Sequence, residues 1–177
     1  DVVCHGVSSP MLWKEYLSSL KWLSPIKGVN MKDKSDGWMG YKITIEGKNG
    51  TKSERASINK FMIAFSQNLS LRPSCYKCPA KQGKCGSDIT LADYWGVEKL
   101  IPEMYDNRGT SFVCINTHKG QSIFDELSIK KVKANYDNSV PNNACLVHST
   151  VEPSERKMFW EQYNNRGIEV LEALKPY

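Results

Sequence analysis

The sequence predicts a single mixed α/β (or α+β) domain, a mixed β-sheet flanked by helices, and three patterns carry that expectation. Apolar residues recur at helical spacing at Leu12, Trp13, Tyr16, Leu17 and Leu20, and again at Ile58, Phe61, Met62, Phe65 and Leu69. Tyr41, Ile43 and Ile45 alternate with polar neighbours, which is the period of a half-buried strand. The run 111–117 is rich in apolar and β-branched residues and reads as a buried strand. Strand and helix patterns interleave along the chain, which favours one mixed layer architecture over separate all-α and all-β parts.

Taken in order, residues 1–9 read as a strand running into a turn, and Pro10 opens the first helix. Proline suits a first helical position because its missing N–H has no intrahelical partner there. A strand follows over 38–45, and Gly47-Lys48-Asn49-Gly50 supplies a hairpin turn. The second helix covers 58–69 and ends before Pro73. From 73 to 86 the chain is loop-like, with two prolines, two glycines, three cysteines and three lysines. Ser87 and Asp88 then offer an N-cap for a short helical or turn segment through Trp95. Asp106-Asn107-Arg108-Gly109 turns into the 111–117 strand, and Lys119-Gly120 leads out to a helix over 121–128. The stretch 132–150 is irregular. Pro153 starts a final helix carrying Met158, Phe159, Trp160 and Tyr163, which Gly167 breaks.

With 177 residues, 40% of them apolar and 24% charged, the chain suffices for one well-formed domain. It begins with Asp1-Val2-Val3-Cys4, which reads like the inside of a strand, so an N-terminal portion is expected to be missing. No apolar run approaches a membrane span, and no basic-then-apolar leader opens the chain. The formal charge of +5 is spread over several loops, with neither a dense basic stripe nor a recognisable reader for nucleic acid.

Cysteine usage is the sharpest clue. A chain this long, with this many core residues, does not need its six cysteines as disulfides. Without an export signal a reducing, cytoplasmic compartment is the expectation, and Cys75-Tyr76-Lys77-Cys78 then points to metal or redox chemistry. A Cys-x-x-Cys knuckle bends the backbone so that two thiolates converge on one ion or cluster, and nearby prolines and glycines permit the bend. Cys85 follows close behind. Spacing alone leaves structural zinc, an iron–sulfur cluster and a redox dithiol open. Zinc would need a fourth ligand, which Cys4, His5, Cys114 or Cys145 could supply, although none of them sits at a standard second-knuckle spacing. Cys4 and His5 lie where a strand ends, a place where ligands often gather. Cys114, inside the apolar strand, is expected to pack in the core, and Cys145 has no local pattern to assign it.

The carboxylates Asp88 and Asp93 are too far out of helical phase to share one face, so capping and turn roles are expected for them. Tyr94 and Trp95 beside Gly96 fit either the core or a stack on a planar cofactor. No Ser-His-Asp nucleophile context, Walker loop or Rossmann glycine fingerprint is present.

One ordered string of motifs goes further. It runs from Asp1-Val2-Val3-Cys4-His5-Gly6 through Ser9-Pro10 and Leu12-Trp13, then Asp33-Lys34 and Gly37-Trp38. It continues with Leu69-Ser70-Leu71-Arg72-Pro73-Ser74-Cys75-Tyr76-Lys77-Cys78 and Ser87-Asp88-Ile89-Thr90-Leu91-Ala92-Asp93-Tyr94-Trp95-Gly96. The string resembles the C-terminal domain of the coenzyme F-420 hydrogenase/dehydrogenase beta-subunit family, and Gly109–Gly120 and Arg156–Trp160 fit the same likeness. The resemblance implies that 1–177 is the C-terminal cofactor-binding domain of a longer iron–sulfur flavoprotein oxidoreductase. It implies a 4Fe-4S cluster and a flavin (FAD), a redox substrate such as coenzyme F-420, and a ferredoxin-like domain upstream or in a partner.

Carried over residue by residue, the resemblance makes Cys4, Cys75 and Cys78 cluster ligands; Cys85 is not one of the family's ligand positions and is either a substitute fourth ligand or an additional thiol. It places Asp88, Asp93, Trp95 and Gly96 on the cofactor-binding side. An upstream Gly-Thr-Pro-Cys segment is expected to complete the family's site. Ser8 stands where the family has Pro, and Ala92 where it has Gly. The alternative reading is a non-catalytic zinc-stabilised or interaction module linked to polysaccharide biosynthesis.

Overall fold

The structure is a computed structural model that describes residues 1–176. In chain order it forms α1 (Pro10–Ser19), β1 (Ile26–Asp33), β2 (Lys42–Gly47), β3 (Gly50–Arg55), α2 (Lys60–Ser66) and β4 (Ile89–Asp93). Then come α3 (Val97–Leu100), β5 (Ser111–Ile115), α4 (His118–Asp125), α5 (Tyr136–Ser139) and α6 (Arg156–Arg166), with short 3-10 turns between them. The mixed α/β class is the one the sequence predicted. The chain groups into two compact units, each made of separated stretches. One comprises Asp1–His5 with Lys77–Thr150, and the other Gly6–Tyr76 with the chain from Val151 on.

The unit that starts at Gly6 holds the larger apolar core. Its sheet has the order β1-β2-β3, antiparallel throughout. Ile43 and Ile45 point one way from β2 and are buried, as their alternation required. Against them pack Leu12, Tyr16 and Leu20 from the first helical stretch, Phe61 and Met62 from α2, and Phe159 and Tyr163 from α6. Each such side chain contributes about 1.5–3 kcal/mol on burial. The helix starts are chemically marked. Pro10 follows Ser9, whose hydroxyl accepts from the Leu12 amide, and Asn59 caps α2 by accepting from the Met62 amide at 3.1 Å. The second predicted helix is therefore shorter than 58–69. Gly167, at φ 60°, stops α6 as expected.

The hairpin is where the glycines placed it, with Gly47 paired to Gly50 across Lys48 and Asn49. β1 escaped the sequence reading. Its register shifts near Gly28 and again between Asn30 and Asp33, so no simple alternation survives. Its apolar residues Val29 and Met31 are also exposed.

In the unit that starts at Asp1, β4 and β5 pair antiparallel from Ile89–Ile115 to Asp93–Ser111. Val2 adds a parallel bridge to Leu91, with the Val3 amide donating to the Leu91 carbonyl at 2.7 Å. The predicted strand over 1–9 is reduced to that bridge and one at Ser8. Phe112, Tyr94 and Val97 are buried, with the Tyr94 and Phe112 rings 4.9 Å apart and the Tyr94 hydroxyl hydrogen-bonded to Ser139 at 2.6 Å.

The segment expected as a helix or turn through Trp95 is instead the strand β4. Ile89, Thr90 and Leu91 gain partners on both edges, from β5 and from Val2, and that pairing outweighs the local cap signal. The capping residue types are used elsewhere. The Thr117 hydroxyl donates to Asp88 Oδ1 at 2.6 Å and accepts from the Gly120 amide, which starts α4 at His118.

Candidate functional site: a thiol-lined cavity

A cavity of about 320 Å³ opens within the unit that starts at Asp1. Four of its lining residues are cysteines, Cys4, Cys78, Cys114 and Cys145, joined by Lys81 and Asp1. Each arrives on a different support. Cys4 follows the Val2 bridge that fastens the chain start to β4, and Cys114 sits in β5 opposite Thr90. Cys145 lies in a 3-10 turn, Ala144–Leu146. Cys78 is held by its amide, which donates to the Ser149 hydroxyl at 2.9 Å. The Gln82 amide donates to the Leu146 carbonyl at 3.0 Å, so the segments around 78–82 and 144–149 are laced together.

Lys81 stands at the centre of this lacing. It is only 9% exposed, and its Nζ donates to the Cys4 carbonyl at 2.7 Å and to the Cys145 carbonyl at 2.8 Å. These are short, charge-assisted bonds. No carboxylate forms an ion pair with it among the described residues. The Asp1 carboxylate at the same cavity accepts instead from the Cys85 thiol at 2.9 Å. Burial pushes the Cys114 thiol above its ordinary range, so Cys114 stays a neutral, weakly reactive group at the cavity wall.

The residues picked out from sequence separate into groups. Cys4 and Cys78 meet at the cavity. Cys75 belongs to the other unit, where its sulfur accepts from the Val7 amide at 3.3 Å. Cys85 is exposed near Ser87, and the Ser87 hydroxyl lowers its thiol pKa. Asp88, Asp93, Trp95 and Gly96 lie in or beside β4, and none of them lines the cavity. Asp88 binds Thr117 and the Lys119 ammonium, the latter at 3.3 Å. Asp93 ends β4 opposite Ser111. Asn143 grips Trp95 by accepting from its amide at 3.3 Å and donating to its carbonyl at 3.2 Å, and Trp95 is 37% exposed. Gly96 adopts φ 86°, a left-handed conformation.

From sequence Lys81 is one of four cations near the knuckle, with Arg72, Lys77 and Lys84, that could offset the charge of a thiolate-bound group, and nothing in the local pattern distinguishes it from the other three. The sequence reading favoured core packing for Cys114 and gave Cys145 no role beyond that of a possible fourth zinc ligand. Only the fold brings those thiols to one wall.

Soft thiol donors beside a buried cation suit a thiolate-bound metal group better than a hard oxygen-seeking cation. Among the described residues, no three His, Cys, Asp or Glu side chains stand together as ligands of one ion. The lining residues fit such a group in their donor chemistry.

A two-stranded antiparallel sheet beside a cavity with four cysteines in its lining defines a thiol-rich α/β fold. Its sequence states which one: the chain belongs to the family described as the C terminus of the coenzyme F420 hydrogenase/dehydrogenase beta subunit, whose model matches residues 1–136. Membership puts the chain in the setting of redox enzymes and bears out the resemblance read from its motifs. The match stops before the Arg156–Trp160 motif and before Cys145. No curated protein matches the chain. No helix among the described residues is long and apolar enough to cross a membrane.

Proposed function

We propose that this chain is the cofactor-binding part of an iron–sulfur flavoprotein oxidoreductase, with Cys4, Cys75 and Cys78 as cluster ligands. The observation that carries the proposal is the meeting of Cys4 and Cys78 at one thiol-lined cavity beside a buried ammonium, in a chain of this family. Cys85 is the candidate for a further ligand. Asp88, Asp93, Trp95 and Gly96 form the flavin side of the proposal. Held by these residues, a flavin would supply two-electron hydride chemistry and a 4Fe-4S cluster one-electron transfer, which together would connect a two-electron substrate to a one-electron chain. The protein's part is to hold both groups, exclude water and fix their orientation. Coenzyme F-420 or a comparable hydride carrier is the substrate class, a ferredoxin-like domain the electron partner, and the cytoplasm the proposed compartment.

The test is metal, sulfide and flavin analysis of anaerobically prepared full-length protein, with its visible spectrum. Iron and sulfide in equal amounts, with extractable FAD, support the reading. Stoichiometric zinc without sulfide-dependent absorption would sink it in favour of a zinc-stabilised module. Cys75→Ser is expected to abolish cluster incorporation with the circular dichroism spectrum unchanged; full iron content in that variant overturns the ligand assignment.

A further inference from the structure

We propose that Lys81 is the fixed counter-charge of the thiol-lined cavity, balancing an anionic metal–thiolate group held there. The inference rests on the metal-binding reading above and names the residue that tunes the site electrostatically.

Lysine is almost never buried unless something pairs its charge. Lys81 is nine-tenths buried, yet its partners are the carbonyls of Cys4 and Cys145, two dipoles with no net charge. Taking an ammonium out of water costs several kcal/mol, which dipoles alone offset only in part. A clamp between two carbonyls needs no charge, since a neutral amide would bridge them without that penalty. A positive charge is explained by an anion that belongs in the cavity. The wall carries Cys145 together with Cys4 and Cys78, the two proposed ligands at this cavity, whose deprotonated sulfurs would make a metal group anionic. Asp1, the carboxylate at the same wall, is occupied with the Cys85 thiol. The carbonyl bonds also fix the backbones of two of these cysteines, so Lys81 positions the site as well as charging it.

The experiment compares full-length wild type with Lys81→Gln, Lys81→Met and Lys81→Arg. After anaerobic reconstitution with iron and sulfide, bound iron and the midpoint potential of any cluster are measured. Zinc affinity is measured in parallel by competition with a chromophoric chelator. Gln keeps donors for both carbonyls but removes the charge. The expected result is that Gln and Met bind the metal group at least tenfold more weakly, or shift its potential negative by a tenfold change in equilibrium, about 59 mV. Arg is expected to restore wild-type values. A Gln variant with wild-type affinity and potential overturns the inference while leaving the cluster reading intact. Wild type that binds zinc but forms no cluster ends the iron–sulfur reading, and the zinc affinities then decide on Lys81. Wild type that binds neither overturns both. Loss of the fold in Gln and Met but not in Arg, seen by circular dichroism, assigns Lys81 to structure alone and also overturns the inference.

Discussion

The amide of Asn59 donates to the Tyr16 hydroxyl at 2.7 Å, joining the cap of α2 to the buried face of α1. Asn59 is 1% exposed, and its side chain serves three partners: Tyr16, the Glu54 carboxylate at 2.8 Å and the Met62 amide. Replacing it with Ala removes the cap, worth about 1 kcal/mol, and leaves a buried hydroxyl without its donor, worth about 1–3 kcal/mol. Asn59→Ala is therefore expected to lose roughly 2–4 kcal/mol in a urea titration. A loss of a few tenths would show that the Tyr16 contact is dispensable.

Gly47 sits against backbone. A Cβ there would lie 1.8 Å from the Leu23 carbonyl oxygen, an approach no side chain survives without moving the chain. Gly47→Ala is expected to destabilise by on the order of 3 kcal/mol, through overpacking against an atom that cannot rotate away. Thermal unfolding reads this out directly.

Gly96 and Gly83 provide a matched pair. Both have positive φ, 86° and 69°, but a Cβ at Gly96 would stand 2.6 Å from the Asn142 amide, while at Gly83 it would meet nothing within 4 Å. Gly83→Ala carries the conformational cost alone, about 1–2 kcal/mol. Gly96→Ala is expected to exceed it, and to lower flavin content if Trp95 and Gly96 form the flavin side. Equal losses in the two variants would mean that the Asn142 side chain simply swings aside.

Asp88 gives the pH dependence. The Thr117 hydroxyl, and then Lys119, hold its carboxyl below the ordinary carboxylate range. A depressed folded pKa stabilises the protein above the unfolded pKa, about 3.9, and that contribution fades as pH falls through the folded value. The stability gap between wild type and Asp88→Asn is thus expected to be constant above about pH 5 and to shrink below it. A gap that widens on acidification would reverse the assigned sign.

Wherever one local period ran unbroken, the elements could be read from the residues themselves. Leu12, Tyr16 and Leu20 announced α1, Ile43 and Ile45 announced β2, and the two glycines announced the hairpin. β1 was illegible because its register shifts scramble the alternation and two of its apolar residues, Val29 and Met31, are exposed. β4 was misread because Ser87 and Asp88 are good caps, and only pairing with β5 and Val2, remote in sequence, turned 89–93 into a strand.

The same division runs through the candidate site. Residue order was enough to establish the family, through an ordered string of motifs. It took the folded chain to bring Cys114 and Cys145 to the same cavity and to bury Lys81 among them. Motifs record residue types and local spacing. Burial of a charge, and the meeting of thiols from distant segments, arise from packing, and no local pattern encodes which solvated-looking lysine the fold will take out of water.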